Sequence, residues 1–158
     1  MKTQKVTLAF GYEHNDFVAR IIKKLTRSKY SHSAIIIGDV WVTASLKHGA
    51  ITKKLEPLKD TYDYIEIEVP RKYSHEAVEF INNNHSGQYD FIGAIVGNLM
   101  GISLINQYDD YFCSELVTSV LKHFRSPEVR NIKPISVSPQ RLFDLYKHHG
   151  VKWGKDDK

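Results

Sequence analysis

The run from Ser31 to Ser45 constrains this chain most. Two β-rich stretches, Ser31–Ile37 and Val40–Ser45, flank the turn pair Gly38-Asp39, a spacing that folds as a two-residue hairpin. Such a hairpin sets its own register, because positions equidistant from the turn stand opposite one another. Ala34 then faces Thr43, and His32 faces Ser45. Strand alternation puts His32, Ala34 and Ile36 on one face, which they share with Thr43 and Ser45.

The flanking sequence mixes strands and helices. Val6–Phe10 reads as a short strand closed by Gly11, and Tyr62–Val69 as a strand ended by Pro70. Asn15 is placed to cap a helix whose apolar residues Phe17, Val18, Ile21, Ile22 and Leu25 recur at helical spacing. Ser74 is read as the cap of a helix over Glu76–Asn83. Phe91–Ile105, punctuated by Gly93, Gly97 and Gly101, is too short to span a bilayer and reads as a buried helix. A further helix runs from Cys113, with Leu116, Val117, Val120, Leu121 and Phe124 on its apolar face. Ser138-Pro139 forms an N-cap and first-turn proline for a helix Gln140–His149 that stops at Gly150. Without a regular βαβ alternation, the expected class is α+β. Residues 1–153 form one domain, and 154–158 a loose tail.

Composition narrows the function classes. The chain has 158 residues, 42% hydrophobic and 25% charged, which excludes a disordered chain, a collagen-like repeat and a disulfide mini-protein. Its 22 basic and 18 acidic residues leave a net charge of +4, a balance that permits nucleic-acid binding without requiring it. The basic positions Arg20, Lys23, Lys24, Arg27, Lys29, Lys53 and Lys54 read as a solvated face, so no nucleic-acid partner is expected. The N-terminus lacks a signal peptide's apolar core and cleavage site, and no apolar run reaches about 20 residues. A cytoplasmic protein without a membrane span is the default expectation, with non-standard export or phage origin left open. No His, Cys or acidic cluster has ligand spacing in the sequence, so neither metal nor cofactor is expected.

Cys113 is the single cysteine, which removes internal disulfides and Cys-rich zinc sites. Placed at the start of a helix, its thiol would meet free backbone N–H groups and the positive end of the dipole. A buried structural cysteine fits that position as well. A nucleophilic cysteine needs a base held by a third polar group. Among the eight histidines, His32 is distinguished by lying within a strand. It reads either as a strand histidine satisfied by one partner or as that base. Thr43 and Ser45 carry hydroxyls able to accept from its imidazole.

Three motifs carry a family resemblance: Tyr30-Ser31-His32-Ser33-Ala34-Ile35, Gly87-Gln88-Tyr89-Asp90-Phe91 and Phe112-Cys113-Ser114-Glu115-Leu116-Val117, with Ser138-Pro139 following. In this order the chain resembles the circularly permuted branch of the NlpC-type papain-like cysteine peptidases and amidases, related to the lecithin:retinol acyltransferase-like group. The resemblance implies a permuted papain-like fold, an antiparallel sheet packed against helices with the cysteine at a helix N-terminus. It implies Cys113 as nucleophile and His32 as base and then acid. Thr43 stands where the family often has glutamate before alanine. Tyr89, Ser114 and Glu115 match motif positions, the last two as helix-start residues, with Tyr89 and Asp90 supporting or packing. The implied reaction is cleavage of an amide or peptide bond through an acyl-enzyme, cell-wall peptides included. A lipid-directed thioesterase or acyltransferase is the alternative, and Thr43 admits a binding module with weakened turnover.

Overall fold

Period-two alternation dictates the sheet. In the computed structural model, residues 2–12, 28–45, 50–84, 108–134 and 137–153 are described. The strands are β1 (Thr3–Gly11), β2 (His32–Ile37), β3 (Val40–Ser45), β4 (Ala50–Leu55), β5 (Tyr62–Pro70) and β6 (Val151–Trp153). They form one antiparallel sheet in the order β4-β3-β2-β1-β5-β6. The predicted α+β class is therefore observed. β1 lies inside the sheet, with Leu8 opposite Ile35 on one side and Ile65 on the other.

Alternation sorts the side chains into two buried groups. Val6, Leu8, Phe10, Ile35, Val42, Ala44, Ile65, Ile67 and Val69 join the helices in the main core. Ala9, Ala34, Ile36, Trp41 and Tyr64 form a second group from the intervening positions, on the face where alternation places His32. The Gly38-Asp39 turn forms as predicted, with Ile37 opposite Val40 and Gly38 at φ 62°, a conformation that suits glycine.

Three α-helices are described: α1 (Ser74–Asn84), α2 (Tyr108–His123) and α3 (Pro139–Tyr146). α2 packs against β2, β3, α1 and α3. It buries Leu116, Val117, Val120 and Leu121, the spacing of a core-facing stripe. It ends in a Schellman closure, with Ser126 N–H donating to Leu121 O at 3.0 Å, Arg125 N–H to Lys122 O at 2.9 Å, and Arg125 at φ 61°. α3 starts as its sequence requires: the Ser138 hydroxyl accepts from Arg141 N–H at 3.2 Å, and Pro139 opens the helix.

Several sequence expectations change. α2 begins at Tyr108, not Cys113. Ser74 is helical, its hydroxyl donating to Arg71 O at 2.7 Å. α3 stops at Tyr146 and a tight 3₁₀ turn, Lys147–His149, carries the chain to Gly150 at φ 95°. β4 and β6 were not expected; β4 is an edge strand carrying Lys54, and an edge lysine discourages further pairing. The Asn15-capped helix with Arg20, Lys23, Lys24 and Arg27 lies outside the described residues. So do Tyr89, Asp90, the Phe91–Ile105 segment and the tail 154–158. Among the described residues, no helix is long and apolar enough to cross a membrane.

Candidate active site

The chain enters β2 under tight control. The Tyr30 hydroxyl donates to Asp63 Oδ2 at 2.5 Å, and Lys29 Nζ meets the same oxygen at 2.6 Å. Asp63 is almost fully buried, and burial and this carboxylate together push the Tyr30 phenol well above its ordinary pKa. Ser31 N–H then donates to Gly11 O at 3.0 Å. These bonds hold the backbone on which His32 stands.

Beyond His32 the hairpin forks. Pairing of β2 with β3 covers Ile37–Val40, Ile36–Trp41 and Ile35–Val42, and the ladder stops there. In a continued ladder the N–H and C=O of Ser33 would bond the backbone of Ala44. Instead Ser33 N–H points at Cys113 Sγ at 3.4 Å, and Ser33 Oγ lies 3.5 Å from the same sulfur. Ser33 O accepts from the Thr43 hydroxyl at 3.1 Å. The fork thus takes in a thiol from α2 and a hydroxyl from β3 where a rung would have been.

Thr43 Oγ1 also lies 3.0 Å from His32 Nε2. A carbonyl only accepts, so the single hydroxyl hydrogen of Thr43 goes to Ser33 O. Thr43 thus ties the imidazole of His32 to the backbone carbonyl of Ser33. Of the two hydroxyls expected on this face, that of Thr43 meets the imidazole; the side chain of Ser45, whose backbone pairs with Ala50, lies outside the described residues.

Cys113 itself is fully buried on α2. The expectation of a cysteine at the helix N-terminus is corrected by the start of α2 at Tyr108. Cys113 lies in the second turn, past the unsatisfied N–H groups, where the dipole field has fallen away. A strand N–H, that of Ser33, takes over the part assigned to the helix end. Ser114 and Glu115 are likewise not at the helix start. The Ser114 hydroxyl donates to Val137 O at 2.5 Å, a bond between α2 and the segment before α3. Glu115 is 8% exposed with Oε2 unpartnered, and burial raises its carboxyl to a pKa of about 7.

Two residues that sequence reasoning missed complete the geometry. Gly11 stands opposite His32 on one side and Tyr62 on the other. A Cβ at position 11 would lie 3.0 Å from Tyr62 Cζ and 3.3 Å from His32 Cβ, so the glycine makes the space these side chains occupy. The Tyr62 and His32 rings meet edge to face at 6.2 Å. Burial first, and then the negative charge of a Cys113 thiolate, push the Tyr62 phenol up to about 12. Trp41 meets Tyr62 edge-on at 5.3 Å, and Lys59 Nζ sits 5.2 Å from the Trp41 ring centre. The only sequence signal for this row was register: Gly11 closes one strand and Tyr62 opens another.

Among the basic positions, Lys29 is engaged by Asp63. Among the described residues, metal-ligating side chains converge at Glu128, His148 and His149, on segments that carry none of the residues above. Comparison of the chain with family models, curated proteins and solved structures finds no match.

Proposed function

We propose that this chain is a cysteine hydrolase that cleaves an amide or peptide bond through an acyl-enzyme on Cys113, with His32 as base and Thr43 orienting it. The observation that carries the reading is the fork of the β2–β3 hairpin. There Cys113 Sγ sits 3.4 Å from the N–H of Ser33, the residue that follows His32, and His32 is held 3.0 Å from Thr43. A neutral hydroxyl fixes the angle of the imidazole, the orienting part of a third catalytic residue. It stabilises imidazolium less than a carboxylate, which sets a slower turnover.

In this reading the imidazole of His32 takes the thiol proton, and the thiolate adds to the carbonyl carbon. The tetrahedral adduct collapses with loss of the amine, which leaves carrying the proton from His32. Water, deprotonated by the same imidazole, then attacks the thioester, releasing the acid and restoring the thiol. The permuted papain-like architecture suggested by the motifs belongs to the same proposal. Full burial of Cys113 and the neutral Thr43 favour a second reading, a binding module of this fold with weakened turnover.

Mass spectrometry of the chain after exposure to cell-wall peptides and, separately, to acyl lipids tests the first reading. The expected result is a peptide-derived acyl adduct on Cys113, absent from Cys113→Ala. A lipid acyl adduct would move the assignment to the thioesterase or acyltransferase class. His32→Ala should abolish turnover at an unchanged melting temperature, and Thr43→Val should lower kcat by roughly 10-fold, within the range of acid–base contributions. Turnover that survives Cys113→Ala would overturn the hydrolase reading.

A further inference from the structure

Away from the hairpin fork, two consecutive histidines turn to one carboxylate. Side chains of successive residues on a 3₁₀ turn point about 120° apart, yet the rings of His148 and His149 lie 4.1 Å apart. Both bring Nε2 toward Glu128 Oε1, at 3.8 Å for His148 and 2.7 Å for His149. All three ligand atoms fall within 4.8 Å of one another. His149 is within hydrogen-bond range of that oxygen, and His148 stands at ion-pair distance from it, so one carboxylate oxygen serves two imidazoles.

The carboxylate is held from behind by buried groups. Its other oxygen, Oε2, accepts from the Ser126 hydroxyl at 2.6 Å, and Ser126 Oγ meets the Tyr146 hydroxyl at 2.7 Å. Ser126 is 4% exposed and Tyr146 fully buried. The ring of His149 stacks on that of Tyr146 at 5.9 Å. Ordered outer partners of this kind orient metal ligands. Bond lengths of about 2.0–2.2 Å place tetrahedral zinc ligands roughly 3.3 Å apart. The 2.7 Å contact would widen and the 3.8 Å contact close by about 0.5 Å each, and the imidazole nitrogens, within 4.8 Å of one another, would close by up to about 1.5 Å.

We propose that Glu128, His148 and His149 form a site for a divalent transition-metal ion of the Zn²⁺ class. Two imidazoles and one carboxylate suit Zn²⁺, Co²⁺ or Ni²⁺ and disfavour Mg²⁺ and Ca²⁺, which take oxygen ligands. His148 is 60% exposed, so water completes the coordination on the open side. The ion links the turn Pro127–Val129, which follows α2, to the turn Lys147–His149, which leads into the edge strand β6. Its role is to fasten the C-terminal segment, and it is independent of the chemistry at Cys113.

Calorimetric titration of the EDTA-stripped Cys113→Ala chain with Zn²⁺ tests the site without a competing thiol. The expected result is binding of about one equivalent, with a melting temperature that rises with Zn²⁺ and not with Mg²⁺. His148→Ala should weaken binding at least about tenfold, and Ser126→Ala by roughly tenfold. Because His148 makes no hydrogen bond to Glu128, His148→Ala should keep the metal-free melting temperature, which separates ligation from folding. Co²⁺ in the wild-type chain should show ligand-field bands without a thiolate charge-transfer band. No heat at about a hundredfold excess of Zn²⁺, or equal affinity in His148→Ala and Glu128→Gln, would overturn the proposal.

Discussion

At the scale of single residues, the site depends on one absent side chain and one hydroxyl hydrogen. Gly11 lacks a Cβ where His32 and Tyr62 flank it, and Thr43 donates its hydrogen to Ser33 O while lying 3.0 Å from His32 Nε2. Gly11→Ala places a methyl 3.0 Å from Tyr62 Cζ, so the ring or the imidazole must shift. Overpacking of this kind costs about 1–3 kcal/mol. The expected outcome is a modest loss in urea stability and a much larger loss of kcat, with KM little changed. Adding Tyr62→Leu should restore part of kcat by clearing the space, and steady-state kinetics on the single and double variants checks this. His32 and Thr43 were legible from the sequence because hairpin alternation put them on one face. The fork was not, since nothing in the local sequence says that the ladder stops after Ile35.

At the scale of elements, α2 joins the site to the core, and Glu115 is its electrostatic weak point. A buried carboxyl without a partner on Oε2 favours the protonated form. Its folded pKa of about 7 lies above the ordinary 4.5 of a glutamate. The stability associated with the neutral form is complete below pH 4.5 and falls as pH rises to about 7. Over that window the loss amounts to about 3 kcal/mol. Glu115→Gln should flatten this slope, so that the variant gains on the wild type between pH 5 and pH 8 in urea unfolding. A parallel pH dependence of the two proteins would refute the assignment. The strength of α2 as a helix was readable from Leu116, Val117, Val120 and Leu121. Its start at Tyr108 was not, because the cap-favouring Asp109 and Asp110 fall inside the helix and not before it, so the helix-end account of the thiol gave way to one based on Ser33.

At the scale of the whole molecule, one core joins residues of β1, β2, β3, β5 and all three described helices. A shared core of this kind unfolds as a unit. Phe124, fully buried just past the end of α2, should on change to alanine lower stability by about 3–5 kcal/mol without altering the slope on urea. Coincident transitions by circular dichroism and tryptophan fluorescence would check it. Local chemistry in the sequence determined the turn at Gly38-Asp39, the capped start of α3, the two-faced pattern of β1, β2 and β5, and the candidacy of Cys113, His32 and Thr43. These are short-range matters, decided by periodicity and by residues that favour one backbone conformation. Tertiary structure alone decided that Ser33 N–H serves the thiol, that Gly11 makes room for Tyr62, and that Glu128 meets His148 and His149. Each of these joins segments far apart in the chain, and side-chain convergence across such distances follows from how elements pack, which no local spacing records.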